Sequence, residues 1–283
     1  MATFQNQATL IFGSSRINSN TTEGEIVDAV TVTKSAVSAG YGEGDAVAYA
    51  IGIVNGGTAA LTSLTLTDDL GAYTAADGTL AVPLEYVEDS LRYYLNGELL
   101  PTPTVVAGDT LTVSGISVPA GEGAVLVYEA RTNGKAPLAI GSAITNTATL
   151  TGTPVADLTA TATVPVREEP RLSITKTASP DTLTGGGEIT YGFIIQNTGN
   201  APVVATDNLT VTDLFSPILS GITVTLDGAT LTEGIGYTYD EASGSFTTLP
   251  GAITVPAASY STLPDGTVTV TPGVTVLRVA GTI

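Results

Sequence analysis

The chain has 283 residues, and its 27 acidic residues against 9 basic ones give a formal net charge of −18. It contains no cysteine and no histidine, which excludes disulfides, a thiolate nucleophile, zinc–thiolate sites and the commonest general base. The excess of negative charge argues against nucleic acids and anionic membranes as partners, and no apolar run is long enough to predict membrane insertion.

The N-terminal segment is similar to a segment near the middle of the chain. Residues 4–10 read FQNQATL and residues 144–150 read ITNTATL. They share an N-x-A-T-L string, and both alternate apolar with polar residues, which is typical of a strand with one buried face. Four residues of the first segment thereby match core-type positions of the second: Phe4, Asn6, Ala8 and Leu10.

Two copies of a longer repeat make up the rest of the chain. Lys34 lies in the opening string VTVTKSA of the first copy and Lys176 in RLSITKTA of the second, and matching strings follow both lysines in the same order. A repeat of this length predicts two domains. The expected divisions are an N-terminal arm at 1–27, a first domain at 28–166, a charged linker at 167–170 and a second domain at 171–283.

Both copies consist of short β-type segments. Apolar and polar residues alternate, with turn residues at a spacing of roughly 8–12 residues, as in β-sandwiches. The dipeptides Asn96-Gly97 and Asp227-Gly228 are typical of two-residue hairpin loops. The predicted fold class is all-β, with two tandem immunoglobulin-like β-sandwiches and an N-terminal donor-strand arm.

The two copies differ at their C-terminal ends. The first continues with a final pair of strands at residues 143–166, whereas the second reaches Ile283 where such a pair is expected. An open edge and an uncovered apolar face would favour aggregation. Because the arm has the length and pattern of the missing pair, we expect Phe4, Ala8 and Leu10 to fill the groove of a second domain.

The arm can complete the second domain of its own chain or that of a neighbour. Strand addition uses backbone hydrogen bonds for affinity and alternate side chains for register. Between neighbours the contact is head-to-tail and repeats without closing. Docking on a neighbour is the preferred interpretation, because docking in cis would fold the sandwiches back on each other. A disordered leader that shares a short string by coincidence is the simpler alternative.

Several strings of the second copy resemble a bacterial surface repeat. They are ITKTASP at 174–180, ITY at 189–191, IQNTGNA at 195–201 and VTD at 211–213. In this order they are similar to the repeat catalogued as domain of unknown function 11, and the resemblance extends over both copies. It implies an immunoglobulin-like sandwich with an extracellular structural role on a cell or spore surface, as in clostridial spore appendages.

Three polar residues of the first copy have the chemistry for a covalent cross-link. A neutral lysine can attack the side-chain carbonyl carbon of asparagine while a carboxylic acid transfers protons, because burial lowers the pKa of the amine and raises that of the acid. Lys34 lies on the opening strand, Asp68 follows a central strand and Asn146 lies on the penultimate strand. The simpler alternative is an ordinary ion pair and an asparagine that caps a turn.

The second copy repeats only part of this set. Lys176 and Asp213 occupy the same places, but no asparagine matches the third position. Asn6 of a docked arm would supply it and join one subunit to the next. The sequence predicts no metal site, because its acidic residues lack the spacing of a calcium loop. It predicts no cofactor, because no Gly-rich phosphate loop is followed by a helix, and no enzyme, because nothing places two carboxylates across a cleft.

The sequence therefore predicts a structural subunit of an extracellular or spore-surface filament whose partner is itself. The alternative is a monomeric surface adhesin or ligand-binding module with the arm closed in cis.

Overall fold

The computed structural model describes residues 2–26, 30–153 and 155–283. In these ranges the chain consists of β-strands and loops, with a short 3₁₀ helix at Ala205–Asp207. The predicted all-β fold class is therefore confirmed. No helix within the described ranges has the length and apolar character needed to cross a membrane.

The arm is a long β-hairpin. Its strands are β1 (Ala2–Asn6), β2 (Thr9–Phe12), β3 (Ser15–Asn18) and β4 (Thr22–Ile26). Strand β2 pairs with β3 and β1 pairs with β4, both antiparallel. Gly13 has a φ of 60° at the tip, a conformation that glycine adopts without strain. The predicted boundary between arm and first domain, at residues 27 and 28, lies outside the described residues.

The first domain is a sandwich of two antiparallel sheets. Its strands are β5 (Val30–Ala36), β6 (Ala46–Asn55), β7 (Leu61–Asp68), β8 (Tyr73–Thr74), β9 (Leu80–Ala81), β10 (Leu84–Tyr86), β11 (Arg92–Leu95), β12 (Glu98–Leu100), β13 (Thr104–Ala107), β14 (Leu111–Val118), β15 (Gly123–Thr132), β16 (Ala143–Gly152) and β17 (Val155–Pro165). One sheet has the order β12-β11-β15-β6-β5, with β10 also paired to β15, and the other has the order β13-β14-β7-β16-β17. Strands β8 and β9 form a separate small hairpin.

Alternation along the strands produces the core of the first domain. In β6, Val47, Tyr49, Ile51 and Ile53 are fully buried, while the residues between them are partly exposed. Side chains such as Leu66 on β7 face them from the other sheet. Burial of apolar side chains of this size stabilises the folded state by roughly 1.5–3 kcal/mol each.

The second domain has a matching large sheet and a smaller second sheet. Its strands are β18 (Leu172–Ser179), β19 (Glu188–Asn197), β20 (Thr212–Leu214), β21 (Ser220–Leu226), β22 (Ala229–Thr230), β23 (Tyr237–Asp240), β24 (Ser245–Thr248), β25 (Ser259–Thr262), β26 (Val268–Thr271) and β27 (Gly273–Thr282). The sheets have the orders β18-β19-β27-β21-β22 and β20-β24-β23, and β25 pairs with β26. Aromatic rings fill much of the core, with Phe215 and Phe246 5.9 Å apart between ring centroids.

The β25–β26 hairpin packs against the first domain. It is inserted where the first copy has only a short turn between β14 and β15. Tyr73 donates a hydrogen bond from its hydroxyl to the carbonyl of Gly266 at 3.1 Å, and the N–H of Val268 donates to the carbonyl of Gly134 at 2.7 Å. Tyr260 packs against the first core. The repeat comparison did not predict this hairpin.

The linker is held by both domains. Arg167 and Arg171 both form ion pairs with Asp45 of the first domain. Asn200 of the second domain is buried and donates hydrogen bonds to the carbonyls of Leu138 at 3.0 Å and Arg167 at 2.9 Å. Exposed ion pairs add at most about 1 kcal/mol each, so the buried amide and the hairpin contribute most to holding the domains together.

Candidate functional site

Lys34, Asp68 and Asn146 occupy core-facing positions of the first domain. Lys34 is the most buried residue of β5, Asp68 ends β7, and Asn146 lies on β16. On β16 the alternation turns Asn146 inward together with Ile144 and Ala148, which are also buried. The strand pattern thus brings three polar side chains into an apolar core, where each needs a partner.

Lys34 and Asp68 form a fully buried ion pair. Lys34 Nζ lies 2.7 Å from Asp68 Oδ2, and both side chains have 0% exposure. The other carboxylate oxygen, Oδ1, accepts the N–H of Leu70 at 3.1 Å. A charge buried without its partner is strongly destabilising, so each of the two groups depends on the other.

Tyr128 connects this pair to Asn146. Its hydroxyl donates to Asp68 Oδ2 at 2.6 Å and accepts a hydrogen bond from Asn146 Nδ2 at 3.0 Å. The structure therefore brings the three predicted residues together, with Lys34 and Asp68 in direct contact and Asn146 linked through Tyr128. The sequence alone does not single out Tyr128, because strand alternation marks it only as a buried aromatic residue of β15.

Burial changes the ionisation of this cluster. It lowers the pKa of Lys34 below its ordinary value of 10.5, although the charge of Asp68 and its hydrogen bond oppose the shift. Burial also raises the pKa of the Tyr128 hydroxyl well above its ordinary value, and the charge of Asp68 adds to that effect. The lowered pKa favours the neutral form of the Lys34 amine, which is the form that can act as a nucleophile.

The second domain repeats the ion pair in a more open setting. Lys176 pairs with Asp213, but their side chains remain 43% and 17% exposed. The Lys176 ammonium lies 4.7 Å from the ring centroid of Tyr191 and 5.5 Å from those of Phe193 and Phe215. Aromatic rings therefore pack against Lys176 on one side, while its other side is exposed to solvent.

The uncovered side coincides with a free strand edge. In the first domain, β7 pairs with β14 on one side and β16 on the other. In the second domain, β20 pairs with β24, and no described strand pairs with its other edge. Strand β18 is exposed along its whole length, and apolar side chains there and on β20 face solvent: Leu172, Ile174 and Leu214.

The arm presents the residues predicted to fill such a groove. Phe4 and Leu10 are 52% and 64% exposed, and Asn6 and Ala8 are exposed as well. Asn6 lies opposite Thr22 in the hairpin, as Asn146 lies opposite Ala162 in β16–β17. The two hairpins therefore share both a sequence pattern and the pairing register at this asparagine.

The described part of the arm is bonded only to itself. Its strand pairs and side-chain hydrogen bonds join arm residues to one another, for example Gln5 to Glu23 and Thr9 to Asn18. None of them reaches either domain. The exposed apolar face of the arm and the exposed face of the second domain are thus both uncovered within the chain.

Within the described ranges, no three acidic side chains lie close enough together to act as ligands of one metal ion. The carboxylate of Asp68 is already bonded to Lys34 and Tyr128.

No family model matches the chain, and no curated protein matches it. The resemblance of the second copy to the domain of unknown function 11 therefore stays a prediction.

Solved structures with a similar arrangement include surface proteins of bacteria. BcpA, the major pilin subunit of Bacillus cereus, is 13% identical over 95% of this chain and 73% of its own, with a TM-score of 0.33. The full-length major pilin SpaD from Corynebacterium diphtheriae is 14% identical over 85% of this chain and 58% of its own, with a TM-score of 0.36. A collagen-binding domain from a Staphylococcus aureus adhesin is 8% identical over 49% of this chain and 99% of its own, with a TM-score of 0.30.

Proposed function

We propose that this chain is the structural subunit of an extracellular filament on a cell or spore surface, polymerised head-to-tail by donation of its arm to the second domain of the next subunit. One observation carries the proposal. In the first domain, β16 and β17 fill the place at which the described part of the second domain has no strand, and the arm has the same hairpin form. The surface location rests on the resemblance of the repeat strings, and no catalytic turnover is proposed.

The first domain supplies the expected register of docking. Ala148 of β16 lies opposite Asp68 of β7. The same register in the second domain would put Ala8 of the arm opposite Asp213. Asn6, two residues earlier, would then stand where its counterpart stands in the first domain, beside the carboxylate and the lysine.

The donated element is expected to be the whole hairpin. In the first domain β17 lies alongside β5, and Val30 and Val32 of β5 are partly buried. The corresponding strand β18 is exposed throughout. Strands β3 and β4 of a donated arm would take the place of β17 and cover β18, so that both strands of the arm gain buried apolar area.

The positions of donor and acceptor favour docking on a neighbour. The arm precedes the first domain, whereas its acceptor is the second domain, and the β25–β26 hairpin and the linker contacts hold the two domains together. A donor at one end of a unit and an acceptor at the other form a heterologous contact, which propagates into a fibre when it does not close into a ring.

The lysine site of the first domain would form an internal cross-link, and the lysine site at the junction would make the polymer covalent. Neutral Lys34 Nζ attacks Asn146 Cγ, the carbon–nitrogen bond to the side-chain Nδ2 breaks, and the products are a secondary amide and ammonia. Asp68 receives the proton that Nζ loses and delivers a proton to the departing nitrogen. Lys176, Asp213 and Asn6 of a neighbouring arm would react in the same way across the junction.

A disulfide trap tests the docking register. Thr149 lies opposite Thr67 in the first domain, so Thr9 is expected opposite Thr212 at the junction. The chain has no cysteine, and a directly opposed pair has Cβ atoms roughly 4.5–5.5 Å apart, near disulfide range. Thr9→Cys and Thr212→Cys variants mixed as separate chains should form a disulfide-linked heterodimer on mild oxidation.

The outcomes of the trap separate the alternatives. The matched control is Ile11→Cys mixed with Thr212→Cys, which should not link because residue 11 lies out of register. A disulfide that forms within a single dilute chain carrying both substitutions would instead favour the monomeric adhesin with its arm in cis. Negative-stain microscopy of the unmodified protein should show long beaded filaments, and dispersed two-lobed particles would contradict the proposal.

A further inference from the structure

Two polar atoms at the Lys34 site lack partners. Asn146 Oδ1 and the Tyr49 hydroxyl are both buried, and neither makes a hydrogen bond with any described residue. Tyr49 and Asn146 have 0% exposure. Most buried polar groups in proteins are paired, because an unpaired one costs free energy. An unpaired acceptor and an unpaired donor on neighbouring side chains therefore indicate a function that the unreacted site does not use.

The two orphan atoms belong to neighbouring side chains. Tyr49 lies on β6 directly opposite Tyr128 of β15, and their rings stack with centroids 5.5 Å apart. Lys34 Nζ lies 4.9 Å from the centroid of the Tyr49 ring. Burial raises the pKa of the Tyr49 hydroxyl, and the polar side chain of Asn146, which approaches this hydroxyl without completing a hydrogen bond, lowers that pKa in part. Lys34 and Asn146 thus both lie beside the Tyr49 side chain.

We propose that the Tyr49 hydroxyl is the oxyanion donor for the amide bond between Lys34 and Asn146, an inference that rests on the proposed cross-link. When Nζ attacks Cγ, the π electrons of the carbonyl move onto Oδ1. Tyr49 donates its free O–H to that oxygen. Collapse of the tetrahedral intermediate restores the carbonyl and expels Nδ2 as ammonia, with its proton supplied by Asp68.

Tyr49 suits this role better than Tyr128. The hydroxyl of Tyr128 already donates to Asp68 and accepts from Asn146, so its single proton is committed. The proton of Tyr49 is uncommitted, and a phenol in this environment remains a neutral donor at physiological pH. A donor that finds its partner only as charge develops on the oxygen stabilises the transition state more than the ground state.

The second copy supports this choice. Tyr191 takes the place of Tyr49 beside Lys176, whereas Val279 stands opposite it where Tyr128 stands in the first domain. The phenol on the strand next to the lysine is therefore present at both proposed cross-link sites, and the phenol that bridges Asp68 and Asn146 is present at only one.

Tyr49→Phe in the full chain tests the role. Cell-free synthesis followed by denaturation at intervals gives the time course of bond formation, read by intact mass as the loss of one ammonia. Removing one oxyanion donor should slow the reaction about 10²–10³-fold. Tyr191→Phe is the matched control, and it should leave the Lys34–Asn146 bond at the rate of the unsubstituted chain.

A second comparison distinguishes chemistry from folding. In an Asn146→Ala background no bond can form, so adding Tyr49→Phe there should leave the thermal unfolding midpoint unchanged. Bond formation in Tyr49→Phe at the unsubstituted rate would overturn the role of Tyr49 and leave the cross-link standing. An unsubstituted chain that never loses ammonia would overturn both.

Discussion

Lys34 Nζ lies 2.7 Å from Asp68 Oδ2 inside the first sandwich, where neither side chain is exposed. In such surroundings the Coulomb attraction is strong, but it must offset the loss of hydration of both charges. The ion pair therefore contributes little net stability to the folded state. It is well suited to proton transfer, because moving one proton from Nζ to Oδ2 neutralises both groups at once.

Asp68→Asn should abolish the first cross-link and destabilise the domain. The amide cannot accept the proton of Lys34, and it leaves that amine buried without a counter-charge, which typically costs about 3–5 kcal/mol. Intact mass of the denatured monomer should show no loss of ammonia at this site, and urea unfolding should show the lower stability. Asp213→Asn is the control, since it should leave the first bond intact. Ammonia loss at the Lys34 site of Asp68→Asn would mean that Asp68 is not the proton carrier.

Without the bond, the first domain should become more stable as the pH rises toward 10.5. Asn146→Ala keeps Lys34 as a free amine. An unfolded lysine holds its proton up to its ordinary pKa of 10.5, whereas the buried amine releases it at lower pH, so unfolding takes up a proton in between. The free energy of unfolding therefore rises with pH through that window, by at most about 1.4 kcal/mol per pH unit. This gain in stability is lost when the pH is lowered through the folded-state pKa of Lys34.

Urea unfolding across roughly pH 8–10 measures this slope. The cross-linked chain is the comparison, because its Lys34 is acylated and cannot titrate. Tyrosines with a raised pKa, such as Tyr128, lower the free energy of unfolding as the pH rises, but only near and above the ordinary tyrosine pKa. These tyrosines are present in both proteins, so their effect cancels in the comparison. If the free energy of unfolding had the same pH dependence in the two proteins, the change could not be attributed to Lys34.

The sequence could predict those parts of the fold that depend on local chemistry. Asn96-Gly97 and Asp227-Gly228 form the expected tight turns, with φ of 50° and 85° in the first pair and 49° and 85° in the second. These are the positive values that a type I′ turn requires at both positions. Alternation placed Lys34 and Asn146 on buried faces for the same local reason.

Other features depend on contacts between distant segments. The bridging role of Tyr128 requires knowing which strand lies beside β6 and how the two sheets face each other. The β25–β26 hairpin gains its role by contact with the first domain, and its own residues read only as another strand pair. Strand pairing shows that Tyr49 and Tyr191 occupy matching positions, and the absence of a hydrogen-bond partner for the Tyr49 hydroxyl is visible only in the structure.

Leu10→Asp should prevent assembly and leave the monomer stable. Leu10 is 64% exposed in the free arm, so the substitution removes little buried apolar area from the monomer. In the proposed junction the substitution would bury a charge and remove roughly 1.5–3 kcal/mol of stabilisation from apolar burial. This corresponds to an association constant that is at least about tenfold lower. Ile11→Asp is the matched control, because Ile11 lies on the opposite face of the hairpin and is 59% exposed. Sedimentation velocity should show monomers for Leu10→Asp and polymers for Ile11→Asp, and equal assembly would contradict the docking face.

Asn6→Ala should give filaments that denaturant can dissociate. The methyl group retains the strand pairing of the arm but removes the amide carbon that Lys176 would attack. The unsubstituted polymer should survive boiling in detergent as a ladder on a gel, whereas Asn6→Ala should run as a monomer. Asn20→Ala changes another exposed arm asparagine and should keep the ladder. A ladder in Asn6→Ala would place the junction bond elsewhere.

Gly266→Ala should uncouple the two domains. Gly266 has a φ of 86°, and a Cβ added there would lie 2.6 Å from the Cβ of Ala81 and 3.0 Å from the Tyr73 hydroxyl. The hairpin would have to move off the first domain and lose its hydrogen bond from Tyr73. Gly78→Ala is the matched control, since Gly78 has a φ of 84° with open space around it and should cost only the backbone strain of about 1 kcal/mol.

The measurement for this pair is differential scanning calorimetry. If the hairpin couples the domains, the unsubstituted chain and Gly78→Ala should each unfold in one cooperative transition, whereas Gly266→Ala should separate into two. Filaments of Gly266→Ala should also bend more sharply in electron micrographs, because the angle between domains then depends on the linker contacts of Arg167, Arg171 and Asn200. A single transition in Gly266→Ala would mean that those linker contacts suffice for coupling.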